Sequence, residues 1–232
     1  GDQALLQKNN IVVKQHLPAV GQNLQDHLCV SYYYRANVKT LNDVFSSYWS
    51  QAKALGQYLL NRTGPLSLSV NQAGGFLKGS EDSPLANIQL YFNPISYRIP
   101  NDPNASMKPD PYSGFLVAFN SCRPTSRGSI EIASNNPDDA ALIKPNYLST
   151  KEDYDEVLQG SRLIRKLMDT SALQAITEEE VIPGKTAVHD DESMVQYYRE
   201  NAGSIYHLCG SCAMGPNLDN AVVNNRLKVH GI

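Results

Sequence analysis

No run of about 18 apolar residues occurs in the chain, so no segment reads as a membrane-spanning helix. Cysteine is scarce. Cys29, Cys122, Cys209 and Cys212 are the four present, too few for a disulfide framework in a chain of this length. A reducing compartment such as the cytoplasm fits them best. Positive charge is not in excess: 20 Lys and Arg stand against 23 Asp and Glu, a net charge of −3. That balance gives no pull toward nucleic acid or an anionic membrane surface. No G-x-S-x-G occurs, which removes the common hydrolase nucleophile elbow. No G-x-G-x-x-G occurs either, so the fingerprint of a dinucleotide site is missing. The opening Gly1-Asp2-Gln3 lacks the basic and apolar regions of a signal peptide, and no internal repeat is visible. Asn61-Arg62-Thr63 and Asn104-Ala105-Ser106 match the glycosylation triplet, which arises often by chance and does not argue for secretion by itself.

What remains is an ordinary globular composition, 41% hydrophobic and 19% charged over 232 residues, enough for one large domain or two small ones. Residues 1–10 read as the end of a short helix and Ile11-Val12-Val13 as a short strand. Strand composition recurs at 30–34, 73–77, 88–92, 114–119 and 127–132. A helix is expected over 44–60, where Val44, Tyr48, Ala52, Leu55 and Leu59 recur at helical spacing. The clearest helix is 151–168, with an apolar stripe of Val157, Leu158, Leu163, Ile164 and Leu167 and with Ser149 or Thr150 as its cap. Another helix covers 192–200. Two short strands, 221–223 and 227–229, close the chain. Pro94, Pro100, Pro103, Pro109 and Pro111 make 93–113 a long irregular loop, of the kind that serves as a lid or binding wall. Strands and helices without regular alternation predict an α+β fold, a mainly antiparallel sheet flanked by helices.

Chemistry concentrates in residues 201–216. His207 lies between Tyr206 and a turn of small residues that contains Gly210 and Gly215. An imidazole is the side chain best suited to take a proton near neutral pH. Cys209-Gly210-Ser211-Cys212 has redox-motif spacing, but a thioredoxin-like site places that motif after a strand near the start of a βαβ unit. His207 is two residues from Cys209, outside the usual zinc-finger spacing, so no metal site is expected. Asp26-His27, after a loop containing a glycine, reads as a capped turn.

The segments together resemble a known family. Leu17-Pro18-Ala19-Val20-Gly21-Gln22-Asn23-Leu24-Gln25-Asp26-His27 resembles the "LPGVGxNLQDH" of glucose-methanol-choline (GMC) oxidoreductases. Ala73-Gly74-Gly75-Phe76-Leu77 matches the next landmark. Arg123-Pro124-Thr125-Ser126-Arg127-Gly128 resembles "RPxSRG", and Pro145-Asn146-Tyr147-Leu148 resembles "PNYL". Tyr206-His207 through Gly215 resembles "YHPxGTCxMG", and 221–231 resembles "AVVDPRLRVHG". The motifs stand in family order along the whole chain, and an ordered set is far more specific than any single one.

The resemblance implies an FAD-dependent enzyme acting on the CH–OH group of an alcohol, choline dehydrogenase-like, of which this chain is the substrate-facing portion. Residues 1–30 would be the tail of the FAD-binding domain, 31–200 the substrate-binding domain, and 201–232 the catalytic-histidine segment. His207 would be the catalytic base. Tyr206, Asn23 and Gly74 would border the flavin, and Tyr91 and Phe92 the substrate. The cofactor's main binding motif and a second catalytic residue would lie outside the chain. Expected partners are a small-molecule alcohol and an electron acceptor, oxygen or a quinone. Alternatives are an inert fragment that binds no FAD and a hydroxynitrile lyase on the same fold. Four departures stand out. Leu208 replaces the usual proline, Ser211 replaces threonine, and Asn224-Asn225 replaces the family's Asp-Pro. Cys29 stands where choline-type members carry a glutamate, which disfavours a quaternary ammonium substrate.

Overall fold

The structure, a computed structural model, describes residues 1–69, 71–98 and 106–232. In chain order the elements are α1 (Gln3–Lys8), β1 (Leu28–Ala36), α2 (Leu41–Phe45), α3 (Tyr48–Asn61), β2 (Ala73–Leu77), β3 (Ile88–Asn93), β4 (Tyr97–Arg98) and β5 (Lys108–Pro109). They continue with β6 (Gly114–Ser121), β7 (Ser129–Glu131), β8 (Leu142–Lys144), α4 (Lys151–Met168), α5 (Ser171–Gln174), β9 (Thr177–Ile182), α6 (Asp191–Asn201) and β10 (Gly203–Ser204). The fold is α+β, as the sequence predicts.

The chain divides into two compact units. One gathers Gly1–Leu28, Arg123–Tyr154 and Ser204–Ile232. The other gathers Cys29–Cys122 and Asp155–Gly203.

The second unit is built on an antiparallel sheet in the order β1-β6-β3-β2, with β9 also pairing with β1. β1 buries every second residue: Val30, Tyr32, Tyr34 and Ala36. Such alternation marks a strand with one face on the core. β6 is buried along almost its whole length, as a central strand covered on both faces must be. The helices α4 and α6 supply the cover on the Val30–Tyr32–Tyr34 face. Tyr32 meets Tyr197 edge-on at 5.4 Å, and Phe119 lies 5.6 Å from Tyr198. A side chain at Gly160 of α4 would collide with the Phe119 ring, so a glycine lets that helix approach the sheet. Burying a large apolar or aromatic side chain of this kind contributes roughly 1.5–3 kcal/mol.

The first unit has little regular structure. Single bridges join its loops, Leu24 to Gly128, Gln25 to Cys209, and Val223 to both Met214 and Val229. β7 pairs with β8. Its small core holds Leu17, Ala19, Leu24, Ala221 and Val222.

Four local expectations change. Ile11-Val12-Val13 forms no strand: no partner among the described residues pairs with it, and Ile11 N–H bonds back to Leu6 C=O at 2.9 Å to finish α1. The helix expected over 44–60 is two helices, because Ser47 takes the cap position of α3 and accepts from Ser50 N–H at 3.2 Å. The strands expected at 221–223 and 227–229 reduce to single bridges. The strand β9 is not expected from Thr177-Glu178-Glu179-Glu180. In the proline-rich loop, β4 and β5 pair across a short ladder, and 99–105 lie outside the described residues.

Candidate active site

The site is assembled in the first unit from two stretches far apart in sequence. Residues 25–27 and 205–209 run antiparallel. Gln25 and Cys209 exchange both backbone hydrogen bonds, at 2.8 and 2.9 Å, and Ile205 N–H donates to His27 C=O at 3.2 Å. Gly21 N–H adds a bond to Ser211 C=O at 2.9 Å. The pairing needs a tight turn after His207. Gly210 supplies it at φ +92°, and a methyl group there would overlap the Asn23 carbonyl oxygen. The motif with redox spacing is therefore a turn that seats the histidine. Cys209 and Cys212 are free thiols.

This pairing brings two histidines together. His27 Nδ1 and His207 Nδ1 are 3.1 Å apart, with ring centroids at 5.2 Å and planes at 65°. Two facing ring nitrogens at this distance share one hydrogen, so one donates and the other accepts. If His207 carries the hydrogen on Nδ1, its Nε2 holds a lone pair. That is the tautomer a base acting through Nε2 requires, and His27 is then the acceptor that fixes it. His207 is exposed and His27 half-buried.

Asp26 lies beneath the pair and is 5% exposed. Its Oδ1 accepts from His27 N–H at 2.9 Å and from His207 N–H at 3.1 Å. Its Oδ2 accepts from Tyr147 O–H at 2.6 Å. Burial, then the hydrogen bond to Asp26 and its charge, pushes the Tyr147 hydroxyl up to about 12. The phenol is therefore a neutral donor throughout the neutral range. The sequence reading of Asp26-His27 as a capped turn misses this arrangement. The signal available is an acid and a histidine side by side in a family motif.

Tyr206 precedes His207 in the left-handed region at φ +63°. This is uncommon for a residue with a large side chain. Its ring is 87% exposed. Leu208 and Met214 of the same unit are also exposed apolar side chains. Asn23, exposed and at φ +61°, lies across the turn from Gly210.

The other expected site residues lie in the second unit. Gly74 sits in β2 opposite Tyr91, where an added side chain would meet the Leu90 carbonyl oxygen at 2.5 Å. Tyr91 and Phe92 are consecutive in β3 and so point to opposite faces of the sheet. Phe92 stacks on Phe115 at 5.3 Å, on the face that also carries Tyr34. Tyr91 shares the opposite face with Ala118, Ser31 and Cys29. Burial pushes the hydroxyl of Tyr91 and the thiol of Cys29 each up to about 12, with the nearby Cys29 and Cys122 adding to the effect on Tyr91. Both groups are uncharged at neutral pH. No three His, Cys, Asp or Glu side chains among the described residues converge as metal ligands. No helix among them is long and apolar enough to cross a membrane.

A family model described as GMC oxidoreductase matches residues 124–232. Oxygen-dependent choline dehydrogenases from Citrobacter koseri and Proteus mirabilis are 34% and 35% identical over the whole chain, which covers 40% of each relative. The chain thus spans less than half the length of the curated relatives it matches. Among solved structures, a variant of Aspergillus oryzae formate oxidase superposes on all of the chain, and on 44% of its own, with a TM-score of 0.85 at 20% identity. A fungal aryl-alcohol oxidase covers 98% of the chain and 44% of its own, with a TM-score of 0.77 at 22% identity. These two likenesses support the fold.

Proposed function

We propose that the chain belongs to the GMC oxidoreductase family and is the substrate-facing part of a flavoprotein that oxidises an alcohol. In this reading His207 takes the hydroxyl proton while the α-carbon loses hydride. The observation that carries it is the His27–His207 contact at 3.1 Å. An exposed imidazole has its inner nitrogen engaged and its outer nitrogen available, the arrangement a general base needs.

The residues fit the ring end of FAD and not its diphosphate. Tyr206, held in a left-handed backbone with its side chain uncovered, offers an apolar surface of the kind a flat ring covers. A glycine-rich phosphate cradle is absent from the sequence. Tyr206 and Asn23 are the residues of the first unit that would hold the flavin. When bound, FAD would supply the hydride acceptor. His207 would hold the proton on Nε2 as an imidazolium, still donating from Nδ1 to His27.

Of the two aromatic residues expected at the substrate, Tyr91 is the one assigned to that role. Phe92 is engaged in packing against Phe115. Cys29 and Tyr91, neutral through the physiological range, offer no counter-charge to a cationic head group. The reading is therefore an uncharged alcohol, in contrast to the choline named for the relatives. The lyase alternative gains no support from relatives that are dehydrogenases and neighbours that are oxidases.

The test is anaerobic mixing of the full-length flavoprotein that contains this chain with a panel of neutral primary alcohols and choline. Bleaching of the flavin by a neutral alcohol is expected. A flavin-loaded protein that no alcohol reduces would overturn the reading.

A further inference from the structure

We propose that Asp26, with Tyr147 behind it, is the positioning residue of the histidine pair. Its buried carboxylate holds the two backbone amides that set how far apart the imidazoles stand. The contacts are direct. One oxygen takes the amides of His27 and His207, and the other takes the Tyr147 hydroxyl. His27 and His207 are 180 positions apart in sequence, and the Asp26 carboxylate is a covalently placed group that both strands bind. A buried carboxylate is costly unless its lone pairs are used, and the three donors use them. Charge-assisted bonds of this kind are roughly twice as strong as neutral ones.

Tyr147 is itself held in place. Asn146 and Leu148 on either side adopt left-handed backbone, at φ +56° and +54°. Asn146 Nδ2 donates to Arg127 C=O at 3.0 Å. A leucine in that region is strained, and such strain persists where the surroundings over-determine it. The strained segment delivers one hydroxyl to Asp26 Oδ2. Asp26 touches neither the proton acceptor's ring nor the edge where a substrate would approach, so it acts through backbone placement.

The importance of that placement rests on the alcohol-oxidation reading, but the placement can be tested without it. With histidine nitrogens labelled in the 232-residue chain, two-bond nitrogen–proton spectra report each imidazole's tautomer. His27→Gln and His207→Gln provide the assignments. The wild-type chain is expected to show His207 as a single Nδ1–H tautomer. In Asp26→Asn and Tyr147→Phe, the His207 signals should move toward the mixed pattern of a free imidazole, while His16 and His230 of the same unit stay unchanged and report a retained fold. In the full-length flavoprotein the same variants should reduce flavin about 10-fold more slowly or worse, since small misplacements of a reacting group carry costs of that order or larger. If Asp26→Asn fails to fold, Tyr147→Phe decides. A His207 signal identical to wild type in folded Tyr147→Phe overturns the proposal. A full-length wild type that no alcohol reduces overturns the functional reading instead.

Discussion

His27 and His207 meet through their Nδ1 atoms at 3.1 Å. With the hydrogen on His207 Nδ1, His27 accepts and His207 Nε2 keeps its lone pair, the arrangement a carboxylate imposes in many other base–orienter pairs. Replacing His27 by alanine should therefore impair proton transfer more than binding. In the full-length flavoprotein, the rate constant of flavin reduction should fall by about 10-fold or more, with the substrate dissociation constant nearly unchanged. Stopped-flow reduction across a range of alcohol concentrations separates the two.

The turn after His207 predicts a contrast between two glycines. Gly210 has φ +92° and faces the Asn23 carbonyl oxygen, whereas Gly56 lies in α3 with open space, nothing within 4 Å, where a β-carbon would stand. Gly210→Ala should destabilise the chain by roughly 1–3 kcal/mol. Gly56→Ala should stabilise it by about 0.5–1 kcal/mol. Thermal melts of the two variants should shift in opposite directions.

The Glu180 carboxylate is buried, 1% exposed, and pairs with Arg165, which also donates to Val188 C=O at 2.8 Å. Arg165→Met strands that carboxylate and should cost about 3–5 kcal/mol. Adding Glu180→Gln should recover most of the loss. Denaturant unfolding of the single and double variants measures the recovery.

Asp153 carries an acid-side prediction. Burial alone would raise its carboxyl, but the Ser126 and Thr125 hydrogen bonds outweigh it and hold the group below its usual 3.8. Its Oδ1 accepts from Thr125 N–H at 2.6 Å and its Oδ2 from Ser126 N–H at 3.0 Å. A carboxyl depressed on folding stabilises fully above its unfolded value, and that stabilisation fades as pH falls through the folded value. Glu180 runs the other way. Burial outweighs Arg165 and raises its carboxyl, so its contribution is fullest at low pH. That background is common to both proteins in a comparison. The stability gap between wild type and Asp153→Asn should be widest near neutral pH and should close below about pH 4.

Much of this is legible in residue order. The helix α4 falls at Lys151–Met168 as its apolar stripe predicts, and Thr150, one of two expected caps, accepts from Asp153 N–H at 3.4 Å. The strands β3 and β6 lie where β-branched and aromatic runs place them. β9 is hidden because three consecutive glutamates read as solvated. Two of them are exposed, and the carboxylate of the third is buried where Arg165 and Gly184 N–H meet it. Ile11-Val12-Val13 has the composition of a strand but no partner among the described residues, and composition alone cannot report pairing. At the site, a family motif locates His207. Asp26 and Tyr147 stand in family motifs too, yet their joint role depends on three chain segments that meet only in the fold.

The most direct measurement is anaerobic reduction of the full-length flavoprotein by its best alcohol, with and without His207→Ala. The account predicts that the variant keeps its flavin and that its reduction slows by ~10²-fold or more. Flavin reduction at the wild-type rate in that variant would contradict it.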